Sequence, residues 1–336
     1  MENVKERTAV VFGAGGFIGG HLVKRLLSEG YVVRAVDIKA KKNWWQVHDG
    51  TEIVDCHDLT SDSIFQMVTG MDEVYQLAAD MGGAGYIFTG ENDANVMTNS
   101  ALINLRLVNQ LAKMPEEIKV FYSSSACIYP ARNQTDPDNP NCAEDSAYPA
   151  DPDSDYGWEK LFSERLYKAY ERNYSLPVRI ARFHNIFGPQ GSWEDGKEKA
   201  PAAMCRKAAE DTEVMEVWGP GTQTRSFLYI DDCLDAVRAL MESDCTEIIN
   251  IGSEEMVSIN HLASLAIDIS GQKKNIKNIP GPVGVMGRCS DNKLIQNLLG
   301  WTPKYSLEEG MKLTFAYIKQ EMTDVEKMRR KIKQPT

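Results

Sequence analysis

No stretch of this 336-residue chain approaches the roughly 20 consecutive apolar residues that a membrane-crossing helix requires. A cleavable leader is not expected either: Met1 to Thr8 is charged, and the apolar run from Thr8 to Phe12 is too short to serve as its core. Positive charge is scarce, with 37 Lys and Arg against 48 Asp and Glu and a net charge of −11. That sign works against nucleic acid or an anionic membrane as partner, so an anionic ligand must be met by a few local cations. Metal-ligand spacing is missing too. The seven cysteines (Cys56, Cys127, Cys142, Cys205, Cys233, Cys245, Cys289) are odd in number, dispersed and free of any CxxC. They read as reduced thiols, not as a disulfide framework or a zinc site, and a cytoplasmic location is expected. No repeat or low-complexity segment is present. What remains is an ordinary globular composition, 43% hydrophobic and 25% charged, long enough for one large α/β enzyme or two medium domains.

The first ordered feature is a strand, a glycine turn and a helix. Thr8 to Phe12 (TAVVF) is short, apolar and β-branched, and it runs into Gly13-Ala-Gly-Gly-Phe-Ile-Gly19; Leu22, Val23, Leu26 and Leu27 then recur at helical spacing until Glu29-Gly30. Gly13, Gly16 and Gly19 lack side chains where the backbone must turn sharply and approach a pyrophosphate, which then sits at the positive end of the helix, near Phe17 and Ile18. A second strand, Tyr31 to Val36, ends in Asp37, 18 residues after Gly19. An acidic side chain there accepts hydrogen bonds from both ribose hydroxyls and repels a 2′-phosphate, which favours NAD over NADP, although Lys39, Lys41 and Lys42 keep cations nearby. Further strands are expected at Glu52 to Val54, followed by Asp58-Leu59, and at Glu73 to Leu77, followed by Ala78. Strands separated by helices predict a Rossmann-type, doubly wound parallel sheet, whose ligands lie at the strand ends where Gly13, Asp37, Asp58 and Ala78 fall.

The next strand, from Val120, emerges into Ser123-Ser-Ser-Ala-Cys-Ile-Tyr-Pro130, and after a loop rich in Pro, Asp and Asn, Tyr156-Gly-Trp-Glu-Lys160 opens a helix. A Tyr and a Lys four apart share one helical face. A phenol with an ordinary pKa near 10 is a poor base at neutral pH; a neighbouring ammonium and a positive nicotinamide are expected to bring it down. Ser125 would hold the substrate oxygen while Tyr156 exchanges its proton. The expected chemistry is hydride transfer between a secondary alcohol and NAD.

The chain resembles the extended short-chain dehydrogenase/reductase family of nucleotide-sugar enzymes over nearly its whole length. Six ordered blocks carry the resemblance: Ala79 to Gly83 (ADMGG), Ser124 to Pro130 (SSACIYP), Arg182 to Asn185 (RFHN), Glu198 to Ala203 (EKAPAA), Gln223 to Phe227 (QTRSF) and Gly287 to Asn292 (GRCSDN). Within the family these are similar to the blocks of members that invert C3 and C5 of a GDP-hexose. The resemblance implies transient oxidation of C4, acid/base inversion at C5 and C3, reduction of C4, and NAD regenerated each turnover. It assigns Cys127 and Lys199 as the epimerising pair, leaving open which is acid and which is base. It places Lys207, Arg225 and Arg288 on the nucleotide diphosphate and sugar, with Gly85, Ser125, Ala126, Asn185, Glu198, Ala200 and Gln223 around the ring. One departure is Met286, where plant members carry an arginine; the base and sugar are less firmly implied than the reaction type.

Alternative functions are a 4-epimerase, which has no use for Cys127, and a 4,6-dehydratase, which needs an acid where Ala126-Cys127 stands. A non-catalytic NAD-binding sensor that has kept the fold is a third. Residues 1–182 plus 226–251 are expected to form the NAD-binding domain, and 183–225 plus 252–336 a smaller interwoven lobe for the sugar nucleotide. A homodimer is expected through helices near 95–112 and 156–172. Trp44-Trp45 reads as surface packing, the 14 methionines as core filler and Lys327 to Lys333 as a solvated terminal helix.

Overall fold

Continuous apolar runs, unlike alternating ones, form strands that are covered on both faces. In the computed structural model, which describes residues 6–61, 63–82, 84–115 and 117–333, the chain opens with such a strand. β1 (Thr8–Phe12) is followed by α1 (Phe17–Ser28), β2 (Val32–Val36), β3 (Glu52–Val54), α2 (Ile64–Val68), β4 (Glu73–Gln76), α3 (Ala84–Ile87) and α4 (Asp93–Leu111). Then come β5 (Lys119–Ser125), α5 (Asp155–Tyr174) and β6 (Val178–Phe183). Strand sites read from sequence agree to within a residue or two at each end; the largest difference is at β5, which starts at Lys119 and runs on to Ser125.

The second half adds β7 (Ile186–Phe187), α6 (Ala200–Ala209), β8 (Val214–Trp218), β9 (Thr224–Ser226), β10 (Leu228–Tyr229), α7 (Ile230–Glu242) and β11 (Ile248–Ile251). β12 (Met256–Ser258), α8 (Ile259–Ser270), β13 (Asn275–Ile279), β14 (Gly287–Arg288), α9 (Lys293–Leu299) and α10 (Leu307–Lys333) complete the described chain. It is richer in regular elements than its glycines and prolines imply. Met1 to Lys5 and the side chains of Lys327 to Lys333 lie outside what is described.

Seven parallel strands form one sheet in the order β11-β6-β5-β4-β1-β2-β3. The winding reverses beside β1, so the crevice between the ends of β1 and β4 is the natural ligand site. Alternate residues of β1 face opposite layers: Val11 joins Leu22, Leu26 and Val237 on the side of α1 and α7, whereas Val10 and Phe12 join Leu107, Leu111 and Tyr167 on the side of α4 and α5. β11 returns to the sheet edge 65 residues after β6 leaves it, pairing Ile248 with Ile180 through Ile251 with Phe183. Smaller sheets, β12-β9-β14, β8-β13 and β7-β10, carry the chain segments that bring Arg225 and Arg288 toward the end of β5.

Candidate active site

The glycine turn has the shape a dinucleotide needs. Gly13 sits at φ +82° with its amide on the Val36 carbonyl (2.9 Å), and a Cβ at Gly19 would lie 2.1 Å from the Gly13 oxygen. α1 starts at Phe17 with no side-chain cap and no acidic residue in its first turn, leaving its amides and positive dipole end for an anion. Asp37 is buried at the end of β2, with one oxygen accepting from the Gly15 amide and the other from the Lys39 amide, both at 2.9 Å. Ala78 borders the turn: a Cβ on Gly13 would meet its amide nitrogen at 3.0 Å. Phe17 makes an edge contact with His21, and Ile18 packs partly buried against the core. Leu59 is buried, whereas Asp58 is exposed and spends its carboxylate on Thr60. These residues fit NAD. Trp44 is no mere surface residue: a Cβ on Gly15 would strike its indole at 2.6 Å, so the ring lies directly over the turn.

The candidate catalytic stretch is built at the end of β5. Ser125 Oγ accepts from the Cys127 amide (3.2 Å), closing a tight turn over Ala126 to Ile128 in which Ala126 is buried. Ser154 caps α5 by accepting from the Gly157 amide (3.3 Å), which sets Tyr156 and Lys160 on the helix face toward that turn. Ser125 hydrogen-bonds the Tyr156 hydroxyl, and Lys160 donates to the Ser123 carbonyl at 2.8 Å. The Lys160 ammonium lies 5.7 Å from the Tyr156 ring centroid. The phenol is held above its ordinary pKa, chiefly by burial and then by Cys127 and Glu159, with the Ser125 bond pulling the other way. The Lys160 ammonium is engaged with a carbonyl, so among the protein's own groups burial, which penalises the phenolate, sets the direction. Lys160 itself is lowered, by burial first, against Glu159, Glu164 and Cys127.

Cys127, Tyr156, Met81, Tyr86, Ile87, Phe88 and Val96 form one apolar cluster, so the segment carrying Gly85 packs against Cys127 and Tyr156. Lys199 is the residue before α6; it is exposed as a residue, yet atoms crowding its ammonium pull its pKa down by desolvation, aided by Arg288 and opposed by Cys127. The Tyr86 hydroxyl donates to Asp80 (2.8 Å), and Lys197 places its ammonium 4.3 Å above the Tyr86 ring. Sequence reading missed this contact; no local pattern marks it.

The expected substrate residues divide. Arg288, from β14, donates from Nη1 to the Cys127 sulfur (3.2 Å) and from Nη2 to Asp153 (2.9 Å). Arg225 is packed beside it, lowered to about 10 by burial and by Arg288, and donates to the Thr224, Val283 and Val285 carbonyls. Gln223 Oε1 is buried without a partner, while its amide nitrogen donates to the Trp218 carbonyl. Asn185, in the left-handed region at φ +48°, donates to the Ser226 carbonyl. Glu198 pairs loosely with Arg206 (3.6 Å) and keeps Oε2 buried and unpartnered; Ala200 opens α6. Lys207 donates to the Glu216 carbonyl (2.6 Å) and is lowered by burial and by Arg206. Met286 is half-buried, with its amide on the Gln134 carbonyl.

A family model described as the NAD dependent epimerase/dehydratase family matches residues 9–252. The chain is 43% identical over 314 residues to the GDP-mannose 3,5-epimerase of Arabidopsis thaliana, covering 93% of this chain and 82% of that protein. It is 42% identical over 318 residues to GDP-mannose 3,5-epimerase 1 of Oryza sativa subsp. japonica, with the same coverage. Among solved structures, UDP-glucuronic acid 4-epimerase from Bacillus cereus, in complex with UDP-glucuronic acid and NAD, superposes with a TM-score of 0.81 at 27% identity, covering 94% of this chain and 99% of that one. The chain belongs to the NAD dependent epimerase/dehydratase family.

Proposed function

We propose that this protein is a GDP-mannose 3,5-epimerase, giving GDP-L-galactose and the C5 epimer GDP-L-gulose. The observation that carries the reading is that Cys127 and Lys199 lie beside Ser125 and Tyr156: Cys127 shares an apolar cluster with Tyr156, and its sulfur interacts electrostatically with both Tyr156 and Lys199. A 4-epimerase has no use for a thiol and an amine there.

The turn at Gly13, Gly16 and Gly19 together with Asp37 would hold NAD, which would supply reversible hydride transfer at C4. Ser125 holds the C4 oxygen while Tyr156 takes and later returns its proton. Lys160 anchors the strand end below them. The C4 ketone acidifies the neighbouring C–H bonds, and Cys127 and Lys199 remove a proton from one face of the ring and supply one to the other. Lys199 suits proton exchange because local desolvation of its ammonium lowers its pKa. The phosphate charge falls to Lys207, Arg225 and Arg288, and Gly85, Ala126, Asn185, Glu198, Ala200 and Gln223 surround the sugar. Residues 1–182 plus 226–251 hold NAD; 183–225 plus 252–336 hold the sugar nucleotide.

The test is incubation with GDP-mannose in heavy water. Deuterium at C5 and C3 is expected, and absence of exchange across a panel of GDP-hexoses would overturn the assignment.

Met97, Leu102 and Leu105 on α4 and Trp158 and Phe162 on α5 expose large apolar side chains on two helices that pack together. They suit burial against a second copy as a homodimer. Light scattering should give twice the chain mass, and Phe162→Glu should reduce it to one. Seven unpaired thiols suit the cytoplasm.

A further inference from the structure

The strongest unassigned feature is the way Arg288 is held. Its side chain is almost wholly enclosed, and three edges of the guanidinium are engaged: Nε with Gln134 Oε1 (2.5 Å), Nη2 with Asp153 (2.9 Å) and Nη1 with the Cys127 sulfur (3.2 Å). Gln134 is itself fully buried and fixed by donating its amide to the Tyr129 and Pro130 carbonyls, so its oxygen is committed to Arg288. Asp153 is nearly as enclosed as its partner. An arginine N–H can only donate, so the sulfur is the acceptor, and such a bond strengthens as the sulfur gains negative charge. Other groups also face the sulfur: Tyr156 and Lys160 from α5, Lys199 before α6, Arg225 from β9 and the Tyr86 ring from α3. None of these makes a described hydrogen bond to the sulfur, whereas Arg288 does.

We propose that Arg288, clamped by Asp153 and Gln134, is a positioning residue that holds the Cys127 sulfur by a hydrogen bond and raises its reactivity, with Asp153 tempering the effect. This goes beyond phosphate binding, which needs no contact with the thiol. It rests on the role proposed for Cys127, yet the test needs no sugar turnover. NAD-loaded enzyme without sugar nucleotide is treated with iodoacetamide across a pH series, and alkylation of the Cys127 peptide is followed by mass spectrometry. Removing the cation with Arg288→Met should slow alkylation of Cys127 about tenfold at fixed pH. Asp153→Asn, which leaves the cation unbalanced, should speed it. Arg288→Lys should retain part of the wild-type reactivity. Opposite changes in rate support the clamp. Rates that stay put, or that move the same way in both variants, overturn it; this remains readable from Asp153→Asn and Arg288→Lys should Arg288→Met not fold. Failure of deuterium exchange in wild type would instead strike the epimerase reading alone.

Discussion

Lys160 donates its ammonium proton to the main-chain oxygen of Ser123 at 2.8 Å, spanning 37 residues to join helix α5 to the last turn of strand β5. The lysine thereby fixes where the Tyr156 hydroxyl meets Ser125. Lys160→Met leaves a buried carbonyl without its donor, and turnover should fall on the order of a hundredfold. Steady-state assay with NAD titration checks this: the loss should sit in kcat.

Tyr156→Phe removes the hydroxyl beside Ser125 that is proposed to exchange the C4 proton. Turnover should drop by roughly 10²–10⁴, while NAD still raises the melting temperature, since the phenol is not what holds the pyrophosphate. A variant that keeps wild-type turnover would remove Tyr156 from the chemistry.

Gly19→Ala tests the cofactor cradle. The added methyl would meet the Gly13 oxygen at 2.1 Å, so the turn must move. Thermal shift on adding NAD should shrink or vanish relative to wild type, with the NAD-free melting temperature changed less.

His184 gives a pH signature. Fully buried, it donates from Nε2 to Asn250 (2.9 Å), and burial pulls its pKa down to about 3, with the Asn250 bond opposing and Arg288 and Arg182 assisting. Below its ordinary pKa of 6.5 the unfolded chain binds a proton that the folded chain refuses, so this residue costs stability progressively as pH falls from about 6.5 toward 3. His184→Gln should flatten the dependence of denaturant midpoint on pH in that window. An unchanged slope would show that other groups dominate it.

Arg182 and Glu164 form a buried, two-pronged ion pair (2.9 and 3.0 Å) that ties β6 to α5, and Ser124 donates to the same carboxylate at 2.5 Å. Arg182→Met strands the carboxylate and should cost about 3–5 kcal/mol, measured by urea unfolding.

The first half of the fold was readable because its signals are local. β1, the glycine turn, α1 and Asp37 lie within thirty residues, and each obeys a short-range rule of period or turn chemistry. Ser125, Tyr156 and Lys160 were likewise legible as a strand end and one helical turn. The clamp was not: residues 127, 134, 153 and 288 meet only because β14 pairs with β9, and nothing near Arg288 announces a partner 161 positions away. Strands of two or three residues, such as β7, β10 and β14, are too short to show a period. Trp44 escaped for the same reason, since its partner is a loop rather than a periodic face.

Gly157 has a further meaning. A side chain there would drive its first carbon to 2.2 Å from the Cys127 carbonyl oxygen, so the first turn of α5 is seated flush on the 126–128 turn. Tyr156 and Cys127, the groups proposed to handle the C4 oxygen and a ring carbon, are thus mounted on one block, with no independent hinge between them. A lineage drifting from this reaction toward plain oxidation cannot retune one without disturbing the other, except by replacing the side chain at 127 itself. That single position is where divergence of the chemistry should be sought.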